Sequence, residues 1–141
     1  MSDIQIKHTQ LFINNEWVDS VSGKTFETEN PATKKCIATV AEGDKADVEK
    51  AVAAAKQAFK LGSPWRTMDA ADRGNLLTKL ADKIEENKES LAKLESLDNG
   101  KPYGDALNAD VALTIACYRY YSAFFLWKYG IVAGNDQNDL L

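Results

Sequence analysis

The chain has 141 residues, 45% hydrophobic, 9% aromatic and 27% charged, a mix that excludes a disordered or fibrous protein and leaves room for one globular domain at most. Lys plus Arg 17 against Asp plus Glu 21 gives a net charge of -4, so the general attraction to phosphate behind non-specific nucleic-acid binding is missing and no nucleic-acid partner is expected. Cys36 and Cys117 lie far apart and outside any Cys-x-x-Cys spacing, which argues against a disulfide framework and a zinc site and fits a reducing compartment.

The start, Met1 to His8, has neither the apolar core of a secretory signal nor the Arg-rich pattern of a mitochondrial presequence, and residues 1–10 are expected to be disordered and the chain cytoplasmic. Leu11-Phe12-Ile13 and Glu16-Trp17-Val18 flank Asn14-Asn15, and because Asn tolerates positive φ this predicts a tight type I′ hairpin. Ser22-Gly23 marks a turn. Lys24 to Glu29 reads as a strand closed by Asn30-Pro31-Ala32-Thr33, and Cys36 to Val40 as a further strand before Glu42-Gly43-Asp44.

The period then changes from two to about 3.6 residues. Val48, Val52, Ala55 and Phe59 form one helical stripe, with Asp44 and Asp47 placed to cap its start and an end near Lys60-Leu61-Gly62. Ser63-Pro64-Trp65 reads as a connector. A second helix opens near Asp69, with Leu76, Leu77, Leu80 and Ile84 on its inner face and Gly74 as a weak point costing ~1 kcal/mol against Ala. Asn87 and Ser90 can cap a third helix carrying Leu91, Leu94 and Leu97 inward, which Asn99-Gly100 ends in left-handed conformation. A fourth runs from about Gly104 through Tyr121. It has Leu107, Val111, Ile115 and Tyr118 on one face and Ala109, Leu113, Ala116 and Tyr120 on another, and both are expected to be buried. The apolar stretch Val111 to Trp127 is broken by Thr114, Arg119 and Ser122 and falls short of the ~20 apolar residues of a membrane span, so no membrane partner is expected.

Little in this inventory could catalyse a reaction. His8 is the single histidine, in a polar segment where a solvated ring is the expectation, and Cys117 and Cys36 read as buried small hydrophobes. The carboxylate pairs Glu85-Glu86 and Glu95-Asp98 fall on expected exposed helix faces, where charge serves solubility. No Gly-x-Gly-x-x-Gly and no Gly-x-x-x-x-Gly-Lys is present, so no phosphate cradle is written in the chain.

A series of motifs says more. Leu11 to Val18, the Asn30-Pro31-Ala32-Thr33 turn, Val40-Ala41-Glu42-Gly43-Asp44 followed by Asp47-Val48, and Gly62-Ser63-Pro64-Trp65-Arg66 stand in this order. They are followed by Met68-Asp69-Ala70 with Arg73-Gly74 and Leu76-Leu77, Leu97-Asp98-Asn99-Gly100-Lys101-Pro102, and Tyr118-Arg119-Tyr120-Tyr121. Together they resemble the opening of an aldehyde dehydrogenase of the cytosolic and mitochondrial aldehyde and retinaldehyde group, over about Leu11 to Tyr121. The fold this implies is an α+β fragment of the α/β aldehyde dehydrogenase fold, an N-terminal β-hairpin and short strands followed by about four α-helices. Residues 11–121 would be an incomplete N-terminal part of the cofactor-binding domain, and 122–141 a divergent tail. After Tyr121 the family continues with Gly-Trp-Ala-Asp-Lys, then His-Gly-Lys, where this chain has Ser122 to Tyr129.

The resemblance also sets functional expectations. The family oxidises aldehydes to acids with NAD(P), using a thiolate nucleophile, an oxyanion hole, hydride transfer and a general base. All of those parts, with the nucleotide-binding elements, lie downstream of Tyr121, so this chain by itself is expected to have no catalytic residue, no metal and no bound cofactor, and to be inactive. The equivalent of the fourth helix lines the family's aldehyde entrance tunnel, and Ala109 and Leu113 match tunnel-facing positions. Apolar surface left uncovered, with the run Phe124-Phe125-Leu126-Trp127, Tyr129 and Ile131-Val132, would favour aggregation or partner capture. The alternatives are a non-catalytic module that docks on full-length aldehyde dehydrogenase subunits and a stand-alone helical domain.

Overall fold

Asn14 and Asn15 both take positive φ, 54° and 65°, and close the first hairpin with the mirror-image turn whose twist matches its strands. In the computed structural model, which describes residue 4 and residues 6–130, strand β1 (Leu11–Ile13) pairs antiparallel with β2 (Glu16–Val18), Phe12 opposite Trp17. Residues 1–3, 5 and 131–141 lie outside the described residues, as do the side chains of residues 125–130. The run from Phe125 expected to aggregate, with Ile131 and Val132, falls there, as do residues 1–3 and 5 of the expected disordered start and the greater part of the tail.

A second antiparallel pair follows, β3 (Thr25–Glu29) with β4 (Cys36–Ala41), its register interrupted between Thr28 and Glu29. The turn between them is held by Asn30, whose backbone N–H donates to the Lys35 carbonyl at 2.9 Å and whose Oδ1 accepts from Ala32 N–H at 2.9 Å. The Ala41 N–H donates to the Thr9 carbonyl at 2.8 Å, tying the start of the first hairpin to β4.

Helix α1 (Lys45–Ala58) begins with a reciprocal capping box: Asp44 accepts from Ala46 N–H at 2.9 Å, and Asp47 accepts from Asp44 N–H at 3.0 Å. The second oxygen of Asp47 accepts from the Val21 N–H at 3.0 Å, so one carboxylate joins the helix start to the turn after β2. Asp47 is only 3% exposed, and the N–H groups of Asp44 and then Val21 hold its carboxyl below the ordinary 3.8. A lowered carboxyl stabilises the fold fully above its ordinary value and loses that contribution as pH falls through the lowered one. Urea denaturation measured from pH 6 down to pH 2 should therefore show an acid-side loss of stability that Asp47→Asn, already weaker at pH 6, lacks in part. Equal pH profiles for the two proteins would remove Asp47 as the source.

After α1 the expected connector is itself helical for one turn, α2 (Pro64–Thr67), because Pro64 sits at the first helical position, where its missing N–H costs nothing. Arg66 lies 4.5 Å over the Phe59 ring and packs α2 back on the end of α1. Helix α3 (Ala70–Glu86) follows the Asp69 start, and α4 (Lys88–Asn99) continues after the single residue Asn87. Asn87 does not cap α4 as expected. Its Nδ2 donates back to the Lys83 carbonyl at 2.8 Å, closing the end of α3 instead. Gly100 ends α4 at φ 77°, the left-handed residue expected from Asn99-Gly100.

The expected fourth helix is three segments: α5 (Tyr103–Asp105), a wider π-helical turn (Ala106–Val111) and α6 (Ala112–Gly130). The widened turn resets the phase of the buried face. Ala106 and Val111 are buried five apart and Ile115 four further on, so the expected place of Leu107 in this row passes to Ala106. Helices α3 and α6 pack antiparallel: Arg119 of α6 meets Asp82 and Glu85 of α3, and Ala112 shares a hollow with Lys88. Their buried positions are Gly74 and Ala81 on α3 and Ile115 and Ser122 on α6, three of them small, which lets two backbones approach closely.

Several expected burials are overturned. Leu76, Leu80, Leu91 and Leu94 are exposed, and the second face of the last helix, Ala109, Leu113, Ala116 and Tyr120, is exposed as well. The described core is Ala81, Ala92, Ala106, Val111 and Ile115, with Ile84, Tyr103, Leu107 and Tyr118 against it. Two short hairpins and one layer of helices supply too few facing surfaces to cover every apolar stripe.

Candidate functional site

Around the last helix, the backbone places the charges first. The Lys101 ammonium pairs with Asp110 across the Pro102 turn, tying the end of α4 to the π-helical turn. Asp110 holds Lys101 above its ordinary 10.5, and Lys101 holds Asp110 below 3.8, so both partners are charged across the neutral range. Ser96 Oγ donates to the Lys101 carbonyl at 2.6 Å and stiffens the same turn. More than two turns further on, in α6, Arg119 reaches Asp82 at 3.1 Å and Glu85 at 2.5 Å. These pairs fix the rotation of the helix and hence which side chains point away from the core.

Ala109 and Leu113 are among those that point away, Leu113 being 68% exposed. A hollow of about 550 Å³ lies beside them between α6 and the α3–α4 junction. Glu85, Lys88, Ala116, Arg119 and Tyr120 are among its lining residues; Ala109 and Leu113 are not. Sequence reasoning placed Ala116 and Tyr120 on the right face but did not foresee the charged rim. The signals for that rim were Arg119 inside a mostly apolar run and Glu85 on an expected exposed helix face.

A second cleft, of about 570 Å³, opens between β4 and α4, with Ile37, Val40, Ile84, Leu91, Leu94 and Val111 in its walls. Thr28 Oγ1 donates to Asp98 at 3.1 Å across its edge. His8 also lines the cleft, and its exposed ring is stacked on Trp17, centroids 4.0 Å apart and planes 1° from parallel. The cleft has apolar walls and can hold apolar groups. Cys36 on β4 and Cys117 on α6 are both exposed, against the expected burial, because β4 is at an edge and Cys117 falls on the uncovered side of α6. Among the described residues no group of three or more His, Cys, Asp and Glu side chains could hold a metal, and no helix is long and apolar enough to cross a membrane.

A dinucleotide pyrophosphate would meet two carboxylates at the start of α1. The one strand-to-helix entry of suitable form, Glu42-Gly43-Asp44 into α1, has its N–H groups occupied by the carboxylates of Asp44 and Asp47, which would repel a pyrophosphate. Both strand pairs are antiparallel, and neither makes the parallel crossover at which dinucleotides bind.

Comparison with known proteins decides the family. Residues 17–138 match the Aldehyde dehydrogenase family. The chain belongs to that family. It is 56% identical to Aldehyde dehydrogenase 1A1 of Gallus gallus over 138 residues, 98% of this chain but 27% of that protein. It is 58% identical to the mitochondrial Aldehyde dehydrogenase of Homo sapiens over 115 residues, 82% of this chain and 22% of that one. The NAD+ complex structure of aldehyde dehydrogenase from Bacillus cereus superposes with a TM-score of 0.80 at 50% identity, over 84% of this chain and 24% of its own. The chain thus spans about a quarter of the length of the aldehyde dehydrogenases it matches, and its α+β architecture is a fragment of their fold.

Proposed function

We infer that these 141 residues are the N-terminal part of an NAD(P)-dependent aldehyde dehydrogenase that oxidises aldehydes to carboxylic acids, and that by themselves they neither bind the cofactor nor catalyse. The observation that carries this reading is the match of 98% of the chain to 27% of a relative. The α1 entry, closed by two carboxylates, supports the absence of cofactor binding. Two exposed cysteines on separate elements and a histidine stacked on Trp17 support the absence of a working nucleophile and base. Within a complete subunit, Ala109 and Leu113 line the path by which the aldehyde enters, consistent with their outward position beside the π-helical turn. A cytoplasmic setting is supported by similarity to Aldehyde dehydrogenase, cytosolic 1 of Mus musculus, 49% identical over 138 residues.

The purified chain should give no NAD reduction with a simple aldehyde above a blank. A chimera in which it replaces the matching segment of the Gallus gallus relative should reduce NAD, and Leu113→Trp in that chimera should raise KM for long aldehydes more than for short ones. Activity of the chain alone, or an inactive folded chimera, would overturn the assignment, and equal KM changes would remove Leu113 from the path.

The reading as a module that docks on full-length subunits has less support. A full-length relative already carries its own copy of this segment over the faces concerned.

A further inference from the structure

Three helices meet where α1 ends. Phe59 closes α1, Trp65 and Arg66 stand on α2, and Arg73 lies in the first turn of α3; these four residues line a hollow of about 370 Å³. The hollow shares no residue with the cleft between β4 and α4 or with the hollow beside α6. Its walls are two rings and two guanidiniums. Phe59 and Trp65 are 59% and 41% exposed, so both offer apolar surface to a bound molecule. Arg66 sits over the Phe59 ring at 4.5 Å and makes no ion pair or side-chain hydrogen bond among the described residues. A guanidinium held in this way still has its five N–H donors, a planar fork that takes two oxygens of a carboxylate or phosphate at once. Arg73 is anchored differently: its Nη1 donates to the Met68 carbonyl, which keeps its charge at the wall of the hollow.

The neighbouring charge has the same sign. Lys56, Lys60, Arg66 and Arg73 stand against Asp69 and Asp72 in this stretch, within a chain whose net charge is -4, and neither carboxylate lines the hollow. A bare inorganic anion would use the guanidiniums and leave both rings in water. An uncharged ring would stack and leave the guanidiniums without a partner. A flat ring with an oxyanion on its edge satisfies both, the ring against Trp65 and the anion toward the arginines. The volume is at the small end of the roughly 300–1,000 Å³ of ligand sites, which suits one or two fused rings. We propose that the junction of α1, α2 and α3 is a binding site for a small aromatic acid, a flat ring bearing a carboxylate or a phosphate. The site shares no residue with the Ala109 and Leu113 path, so it does not depend on the reading under Proposed function.

The test is titration of the full chain with naphthoate, followed through the indole N–H resonances of isotope-labelled protein, among which Trp65→Phe identifies the signal of Trp65. Naphthoate should shift that signal saturably and leave the signal of Trp17 in place. Naphthamide, the same ring without the charge, and acetate, the charge without the ring, should each bind at least tenfold more weakly. Arg66→Gln should weaken naphthoate binding tenfold or more, Arg66→Lys, which keeps the charge but loses the fork, should weaken it less, and Lys45→Gln at the other end of α1 should leave it unchanged. Naphthyl phosphate separates the two anions: binding tighter than naphthoate assigns the site to phosphate-bearing rings, and weaker binding to carboxylates. Because Arg66 is exposed, the urea midpoint of Arg66→Gln should match that of the unaltered chain, which separates lost binding from lost folding. Should that midpoint fall, the comparison of naphthoate with naphthamide on the unaltered chain decides by itself. The proposal is overturned if neither aromatic anion moves the Trp65 signal, if naphthamide or acetate binds as well as naphthoate, or if folded Arg66→Gln binds naphthoate like the unaltered chain.

Discussion

Ile115→Ala is expected to cost about 2–4 kcal/mol, while Leu113→Ala, two residues away on the same helix, changes stability by less than about 0.5 kcal/mol. Ile115 is 8% exposed and lies in the core with Ala81, Ala92, Ala106 and Val111, so truncating it removes buried methylenes and leaves a void beside small residues that cannot fill it. Leu113 is 68% exposed and loses no packing. Urea denaturation of the two variants against the unaltered chain decides which face of α6 is core. Equal losses would mean that both faces are covered, as the sequence suggests and the structure denies.

Gly100→Ala should destabilise the chain by about 2 kcal/mol or more, against about 1 kcal/mol for Gly62→Ala. Both glycines have positive φ, 77° and 79°, so both substitutions incur left-handed backbone strain. At Gly62 nothing lies within 4 Å of the added methyl, whereas at Gly100 it would sit 2.7 Å from Pro31 Cγ, in a ring with little freedom to move. The end of α4 therefore closes directly on the β3–β4 turn. Adding Pro31→Ala to Gly100→Ala should recover the excess and leave a loss close to that of Gly62→Ala, measured by thermal denaturation. No recovery would place the excess outside this contact.

These pairs of substitutions separate two kinds of information. Asn14-Asn15, Asp44 with Asp47, and Asn99-Gly100 each did what their residue types dictate, because a turn, a cap or a left-handed stop is decided by groups within a few bonds of one another. The order of those signals along the chain was also enough to identify the family. Which helical stripes are covered was not legible. Leu76, Leu80, Leu91, Leu94 and the Ala109 to Tyr120 face have the composition of buried faces and stand exposed, since burial depends on what other polypeptide is present.

Other features needed the assembled structure for the same reason. The π-helical turn at Ala106–Val111 shifts the buried row by one residue, and its setting is the Lys101 to Asp110 pair, which no local pattern announces. The bond from Val21 N–H to Asp47 and the approach of Pro31 to Gly100 join residues far apart in sequence. By itself, then, the sequence determined the local elements and the aldehyde dehydrogenase membership, through short-range chemistry and ordered motifs. The tertiary structure alone decided which faces form a core, where Ala109 and Leu113 point and which apolar stripes remain open, because these follow from long-range packing.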